Sequence, residues 1–226
     1  MNTRRASAWL ALLAVLAGCA PQRTRVVLVG DSVTAGSSSL PHGPGFAALL
    51  VDLLGPGYEI VNVACSGSSS LDWQPRTHKA QCKEAGGVVN LYERRARPAL
   101  PADVATILLG TNDLIGGFEL APVEPDAYRD ALRTLADALH ADGAREVVLM
   151  APPFQYGTDA RLAGYRARIQ SLCRERPFLH CGPDLSVVLD HQDFEPLDAH
   201  PNASGHAKIA AALAETLQAL PDTPSD

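Results

Sequence analysis

Short runs of apolar, largely β-branched residues alternate along the chain with longer segments whose apolar positions recur every three or four residues. The short runs are continuous, which is typical of strands covered on both faces. The longer segments have the spacing of amphipathic helices. We predict strands at residues 25–30, 58–64, 104–110, 145–151 and, more weakly, 178–181, and helices near residues 43–54, 87–97, 124–142, 159–175 and 204–219.

This alternation of strands and helices predicts an α/β fold in which helices cover both sides of a parallel sheet of about five strands. The chain has 226 residues, 46% of them hydrophobic, and no long polar tract, so it suits one compact domain. We find no internal repeat and no interdomain linker. No GxGxxG turn follows the first strand, which argues against a dinucleotide-binding or flavin-binding role.

The N-terminus has the pattern of an export signal. Arg4 and Arg5 precede an apolar run at 8–17 that is too short to span a bilayer as a mature helix. The stretch LAGCA resembles a bacterial lipobox, which makes Cys19 the expected lipidation site; an ordinary signal peptide with an incidental cysteine is the alternative. The expected segments are a signal peptide at 1–18, a lipidated tether at 19–24, the single folded domain at 25–220 and a C-terminal tail at 221–226.

Charge and localisation follow from that reading. Ala20, rather than Asp, follows the cysteine, and by resemblance to diderm lipoproteins this favours the outer membrane, facing the periplasm. Removing residues 1–18 takes away two arginines and no acidic residue, which changes the formal charge from −6 to −8. The absence of a concentrated basic stripe makes nucleic acid a poor candidate partner. We expect an exported, lipid-anchored monomer.

Four cysteines remain in the mature chain, and an even number in an exported protein indicates disulfides. Pairing by nearness joins Cys65 to Cys82 and Cys173 to Cys181. Four cysteines allow three connectivities, and free buried thiols are a further alternative. No spacing of Cys and His indicates a zinc site, so we expect no metal.

The end of the first strand carries the first candidate for chemistry. In an open parallel sheet, ligands bind beyond the carboxyl ends of the strands. Ser32 lies just past such an end, where Gly30 permits a tight exit and Asp31 can bond to local amides. The alternative is that Ser32 and Asp31 only cap a helix.

Three further segments supply the partners that an acyl-transfer site needs. The second strand leads into NVACSGSSS and the third into GTNDLIGG, and LDAHPNASGH stands near the C-terminus. A serine hydroxyl is a weak nucleophile until a base takes its proton, and His200 is the natural base. A backbone amide at Gly67 and the side-chain amide of Asn112 are suited to stabilise an oxyanion.

The blocks GDSVTAG, NVACSG, GTND and HPNASGH resemble, in order and over nearly the whole mature chain, the SGNH (GDSL) hydrolases, a family of esterases, lipases, thioesterases and carbohydrate deacetylases. The resemblance implies that Ser32 is the nucleophile and first oxyanion donor, Gly67 and Asn112 the other donors, and His200 the general base. It also implies a flavodoxin-like three-layer α/β/α sandwich without metal or organic cofactor.

One block departs from the family pattern. The family usually places the triad acid three residues before the histidine, and here that residue is Leu197. Asp198, two residues before His200, could hold the imidazole because residues i and i+2 of an extended segment project to the same side. Glu195, Asp193 or a main-chain carbonyl are the alternatives.

Other residues are assigned structural roles. We expect His206 in the first turn of the last helix and Asp31 and Asp113 as supports of loop geometry. Trp73 and Tyr92 could line an acyl or sugar pocket, or be buried. Three arginines are interpreted as a solvated helix face: Arg94, Arg95 and Arg97.

The expected function is hydrolysis of carboxylic esters by two-step acyl transfer. Substrates consistent with the sequence include lipid esters, glycan esters and acyl thioesters. One alternative is an acyltransferase or deacetylase that acts on envelope glycans. Another is a lipid-anchored binding protein that keeps the fold without turnover.

Overall fold

The computed structural model describes residues 23–37, 43–75, 79–116, 121–153, 160–196 and 198–221. The predicted signal peptide, Cys19 and residues 222–226 lie outside the described residues. Within the described ranges, every helix is too short or too polar to cross a membrane.

Five parallel strands form the central sheet, in the order β2-β1-β5-β6-β7. Counted over this sheet alone, the order is 2-1-3-4-5, the flavodoxin-like arrangement. The predicted parallel sheet is therefore confirmed. Its strands are β1 (Thr24–Gly30), β2 (Tyr58–Asn62), β5 (Ala102–Leu108), β6 (Ala144–Ala151) and β7 (Leu179–Asp184), and a separate antiparallel hairpin contains β3 (Ala80–Cys82) and β4 (Gly87–Val89).

Helices cover both faces of the sheet. Side chains of a strand alternate between faces, and in β1 Val26 and Leu28 pack with α2 and α7, whereas Val27 and Val29 pack with α4 and α5. Two apolar layers thus enclose the sheet, as a three-layer sandwich requires. The helices are α1 (Ser32–Ala35), α2 (Phe46–Leu54), α3 (Thr111–Ile115), α4 (Pro125–Ala141), α5 (Ala160–Leu172), α6 (Leu185–Val188) and α7 (Ala203–Ala219).

The helix predicted at 87–97 is wrong over its first part. Gly86 and Gly87 have φ values of +79° and +146°, and the chain then continues as β4, paired with β3. Positive φ is easy for glycine and costly for other residues, so these glycines favour a hairpin turn over a helix. A short π-helical segment, Tyr92–Ala96, occupies the rest of the predicted helix.

Both disulfides predicted by nearness are present. Cys65 and Cys82 have Cα atoms 5.7 Å apart, and this bridge joins the hairpin to the loop that follows β2. Cys173 and Cys181, with Cα atoms 5.5 Å apart, join the end of α5 to β7. The first bridge is important for the site because it brings the hairpin beside residues 65–69.

The strand order places a crevice at the ends of β1 and β5. The chain leaves β1 toward the face covered by α2, and leaves β5 toward the opposite face, covered by α4. The loops after two neighbouring strands therefore diverge, which is the topological switch point where open α/β sheets bind ligands.

Candidate active site

Ser32 begins α1 directly after β1. The side chain of Asp31 caps this short helix by accepting a hydrogen bond from the Val33 amide at 3.0 Å. Gly30 is needed for the tight exit, because a Cβ atom there would lie 2.1 Å from Oγ1 of Thr34. Ser32 lines the cleft at this edge of the sheet.

His200 contacts both Ser32 and Asp198. Its Nε2 atom lies 2.8 Å from Ser32 Oγ, and its Nδ1 atom lies 2.6 Å from Asp198 Oδ1. Because a carboxylate only accepts hydrogen bonds, we place the imidazole proton on Nδ1, which leaves Nε2 free to accept the serine proton. The backbone N–H of His200 also donates to Asp198 Oδ1, at 3.2 Å.

The other candidate acids lie elsewhere in the same segment. Asp193 is buried, and its carboxylate accepts from Lys208 Nζ at 2.6 Å and from Ser204 Oγ at 2.9 Å. Burial would raise the pKa of Asp193, but bonds to a backbone amide and to these two side chains outweigh it and lower the pKa. Glu195 is buried, and its backbone N–H donates to the His200 carbonyl at 3.0 Å.

Gly67 and Asn112 line the same cleft as Ser32. Gly67 has a φ of +81° in the turn after β2. Asn112, on α3 after β5, donates from Nδ2 to the Ser68 carbonyl at 2.9 Å, and the same nitrogen lies 3.5 Å from Asp31 Oδ2. A cleft of about 1060 Å³ is lined by Ser32, Gly67, Asn112 and His200 together.

Buried polar contacts join the loops that carry these residues. The Asp113 carboxylate accepts from the Ser70 amide at 2.9 Å and from its hydroxyl at 2.5 Å, which joins the loops after β5 and β2. The Cys65 amide donates to the Gly30 carbonyl at 2.9 Å, which joins the loops after β2 and β1. Asn62, not predicted from the sequence, adds a bond from Nδ2 to the Thr34 carbonyl at 2.7 Å.

The two buried aspartates of these loops have raised pKa values. Burial raises the pKa of Asp31 to about 7; the nearby Asp113 charge adds to the rise, and the Val33 amide opposes it. Burial likewise raises the pKa of Asp113 to about 6, against the lowering effect of the bonds from Ser70. Removing a carboxylate from water disfavours its charged form, so protonation of these groups is easier than in water.

Glu84 is a support that the sequence analysis missed. Both of its carboxylate oxygens lie 3.3 Å from the Ser66 amide, and Oε1 accepts from the Ser66 hydroxyl at 2.5 Å. Burial would raise the pKa of Glu84, but the bonds from Ser66 and the charge of Arg95 outweigh it and lower the pKa. In the sequence, only the predicted disulfide indicates this contact. Ser66 follows Cys65 and Glu84 lies two residues after Cys82, so a bridge between the two cysteines brings Glu84 near Ser66.

Several residues singled out from the sequence lie away from the cleft wall. His206 is buried on α7, where Nδ1 accepts from the Phe46 amide at 3.2 Å. Trp73 and Tyr92 are buried, and Trp73 donates from Nε1 to Ser68 Oγ at 2.9 Å. The three arginines are partly or fully exposed: Arg94, Arg95 and Arg97.

One group of potential metal ligands occurs among the described residues: Cys65, Cys82 and Glu84. The two cysteines are joined in a disulfide, so they offer no thiolate to a metal. This group therefore does not form a metal centre.

The fold is a flavodoxin-like α/β sandwich with a cleft at the carboxyl ends of its strands. The model of the GDSL-like lipase/acylhydrolase family matches residues 28–208, well over half of the chain. The chain belongs to this family, as its four blocks predicted. No curated protein matches the chain.

Solved structures share the fold at low identity. An acetylxylan esterase, Axe2 from Geobacillus stearothermophilus, superposes with a TM-score of 0.65 at 20% identity, covering 91% of this chain and 98% of that one. A family two carbohydrate esterase from Clostridium thermocellum, in complex with cellohexaose, superposes with a TM-score of 0.64 at 17% identity. The match covers 90% of this chain and 66% of the Clostridium chain. A member of the lipolytic protein G-D-S-L family from Veillonella parvula superposes with a TM-score of 0.63 at 16% identity, covering 87% of this chain and 100% of that one. The chain thus spans just under two thirds of the Clostridium protein.

Proposed function

We propose that the protein is a serine esterase that hydrolyses carboxylic esters, with Ser32 as nucleophile, His200 as general base and Asp198 as the acid that orients His200. The observation that carries this proposal is the hydrogen-bonded series Asp198 Oδ1, His200 and Ser32 Oγ, at 2.6 and 2.8 Å, at the wall of a cleft. This is the arrangement by which a base activates a serine hydroxyl.

In the first step, Ser32 Oγ attacks the ester carbonyl carbon while its proton passes to Nε2 of His200. The carbonyl oxygen gains negative charge and receives hydrogen bonds from the amides of Ser32 and Gly67 and from Nδ2 of Asn112. One hydrogen of Nδ2 is used by the Ser68 carbonyl. The contact to Asp31 is at the limit of hydrogen-bond length, so the second hydrogen is available to the oxyanion.

The tetrahedral intermediate then collapses. The bond from carbon to the alcohol oxygen breaks, His200 gives its proton to that oxygen, and an acyl ester of Ser32 remains. Water attacks this ester, transfers a proton to His200, and the second collapse releases the carboxylic acid and returns the proton to Ser32. Asp198 stabilises the imidazolium that forms in each half-reaction.

The test is hydrolysis of p-nitrophenyl esters, from acetyl to dodecanoyl, by the mature chain and by Ser32→Ala. Ser37→Ala is the matched control, because Ser37 lines the same cleft without occupying the nucleophile position. We expect turnover that is abolished in Ser32→Ala and kept within a few-fold in Ser37→Ala. Equal activity of Ser32→Ala and the wild-type chain would contradict the proposal.

A second candidate is removal of acyl groups from envelope glycans, or their transfer to another hydroxyl. It is favoured by the similarity to an acetylxylan esterase and to a carbohydrate esterase. Product analysis with an acetylated oligosaccharide separates the two reactions: free acetate indicates hydrolysis, and acetyl groups on an added sugar acceptor indicate transfer. Labelling of Ser32 by a fluorophosphonate without any turnover would favour the non-catalytic alternative.

We also propose that the protein is exported and lipid-anchored through Cys19. The support is the N-terminal pattern and the presence of two disulfides, which persist in oxidising compartments. Metabolic labelling with a palmitate analogue, followed by membrane fractionation, tests this. Label and membrane association should be lost in Cys19→Ala; their retention would contradict the anchor.

A further inference from the structure

Lysine is rare in this protein, and it is concentrated at the cleft. The sequence contains only three lysines. One of them, Lys208, forms ion pairs with Asp193 and Asp190. The other two, Lys79 and Lys83, both line the cleft that contains Ser32.

The two cleft lysines lie on a well-anchored element. Lys79 immediately precedes β3 and Lys83 immediately follows it. The same hairpin is fixed to the loop of Gly67 by the Cys65–Cys82 disulfide and by the contacts of Glu84 with Ser66. Both lysines are exposed, and no ion pair holds either of them among the described residues.

A different part of the cleft wall is apolar. Leu71, Ile115 and Val123 contribute to it, and Ile115 is 52% exposed. Asp72 is the one acidic residue of the described lining, and its carboxylate already accepts from the amide and hydroxyl of Ser69, at 2.7 and 2.8 Å. The hairpin therefore presents two lysines, opposed by the single carboxylate of Glu84, which already accepts from Ser66, and the cleft has an apolar surface elsewhere.

We propose that Lys79 and Lys83 form a subsite for an anionic group of the substrate, a phosphate or a carboxylate, while the apolar wall contacts its hydrocarbon part. This inference rests on the proposed esterase function and names its substrate class: esters that carry negative charge near the ester bond. Ammonium groups bind phosphate and carboxylate as point charges. In a chain of formal charge −6, two exposed lysines at the cleft favour the approach of an anion to this wall.

The kinetic test uses two matched pairs of esters, followed by acid release in a pH-stat. One pair is 1-octanoylglycerol 3-phosphate and 1-octanoylglycerol; the other is an acetylated methyl glucuronide and the corresponding methyl glucoside. The first pair tests a lipid phosphate and the second a sugar acid. We expect the anionic member of at least one pair to have the higher kcat/KM.

The variants are Lys79→Gln, Lys83→Gln and the double variant. Exposed ion pairs contribute little, so each substitution should lower the anionic-to-neutral ratio of kcat/KM by only roughly two- to fivefold. The loss should lie mainly in KM and should shrink at high salt. Arg94→Gln is the control, since it removes one exposed positive charge outside the cleft lining and should leave the ratio unchanged.

The outcomes distinguish this inference from the proposed function. If Ser32-dependent hydrolysis occurs but the ratio is the same in the double variant and the wild-type chain, the anionic subsite is refuted and the esterase stands. If no ester is hydrolysed, the esterase proposal fails, and calorimetry of Ser32→Ala with 1-O-octylglycerol 3-phosphate and 1-O-octylglycerol decides the subsite. Tighter binding of the phosphate ether, lost when both lysines are replaced by glutamine, supports the anionic subsite. Equal binding of the two ethers overturns the subsite.

Discussion

Two sides meet at the hydroxyl of Ser32. The nucleophile side, residues 30–37, 65–70 and 110–116, is held by hydrogen bonds between residues far apart in sequence, such as Ser70 with Asp113 and Asn112 with Ser68, at separations of 43 and 44 residues. The histidine side, the described residues between 193 and 202, is held mainly by bonds within its own segment.

The histidine side is built from short-range contacts. Asp198 contacts His200 two residues later, the Glu195 amide donates to the His200 carbonyl, and the Asn202 amide donates to the Asp193 carbonyl at 2.8 Å. Disturbing such a segment need not disturb the sheet. Changes at Asp198 and His200 should therefore affect rate more than stability, whereas Asp193, which bonds outside the segment to Lys208 on α7, should affect stability more than rate. Changes on the nucleophile side should affect both.

The largest effect is expected for His200→Ala. Loss of the base from a serine hydrolase site lowers kcat by roughly 10⁴–10⁶-fold. Thermal unfolding should change little, because His200 lies at the cleft and not in the apolar layers. His191→Ala, an exposed histidine close by, is the control and should retain its rate. A strong loss of stability in His200→Ala would break the comparison.

Asp198→Asn should lower kcat by about 10³–10⁴-fold, because an amide does not stabilise the imidazolium and favours the wrong tautomer. The same kinetic assay on Asp193→Asn and Glu195→Gln distinguishes the three acids. Asp193→Asn should lower stability through the loss of its Lys208 pair and leave kcat within about tenfold. If Glu195→Gln lost most of its kcat while Asp198→Asn stayed active, Glu195 and not Asp198 would be the acid that orients His200.

Asn112→Ala removes one of the three proposed oxyanion donors and should lower kcat by about 10²–10³-fold. Asn112→Asp keeps the shape but replaces the donor with a group that repels the oxyanion, so it should be at least as slow. Steady-state kinetics on a short p-nitrophenyl ester measures both. Near wild-type activity in Asn112→Ala would refute the oxyanion role.

Asp31→Asn tests the stability of the nucleophile side through its pH dependence. With a pKa of 3.8 in the unfolded chain and about 7 in the folded chain, Asp31 binds more proton when folded, so its favourable contribution to stability is lost as pH rises from about 4 to 7. Asparagine caps helices as well as aspartate. The variant should therefore gain stability over the wild-type chain as pH rises, by up to about 1.4 kcal/mol per unit.

Urea unfolding at several pH values between 4 and 8 measures this difference. Asp126→Asn provides the opposite sign at lower pH, because Arg168 lowers the pKa of the exposed Asp126 below 3.8: the wild-type chain should gain stability over this variant as pH rises toward about 4, with no further change between pH 4 and 8. A pH-independent difference for Asp31→Asn would show that the folded-state pKa of Asp31 is not raised.

The smallest effect is expected for Glu84→Gln. The neutral side chain keeps its shape but weakens the bonds that fix Ser66 beside Gly67, so kcat should fall by a few-fold with little change in KM. Glu215→Gln, on the exposed side of α7, is the control. Equal kcat values for the two variants would show that the contacts of Glu84 are not needed to position this loop.

What the sequence predicts well is local or periodic. The continuous apolar runs predict β1 and β5, the polar residues that follow these strands predict a crevice, and nearness predicts both disulfides. The polar blocks also predict that Ser32, Gly67, Asn112 and His200 approach one cleft, and the structure brings them together.

The features that the sequence does not predict depend on contacts between residues far apart along the chain. Val88 and Val89 fit a helical spacing as well as a strand. The turn at Gly86 and the pairing of β4 with β3 make this segment a hairpin. Glu84 has no local pattern that marks it as a support, because its partner Ser66 is 18 residues away and is brought near by a disulfide.

The central claim is that His200, oriented by Asp198, activates Ser32. The most direct measurement is the rate of covalent labelling by a fluorophosphonate, with the modified residue located by mass spectrometry, in the wild-type chain, Asp198→Asn and His200→Ala. We predict a single adduct on Ser32, formed slowly in Asp198→Asn and very slowly in His200→Ala. An adduct on another serine, or labelling of Ser32 at the same rate in all three proteins, would contradict the claim.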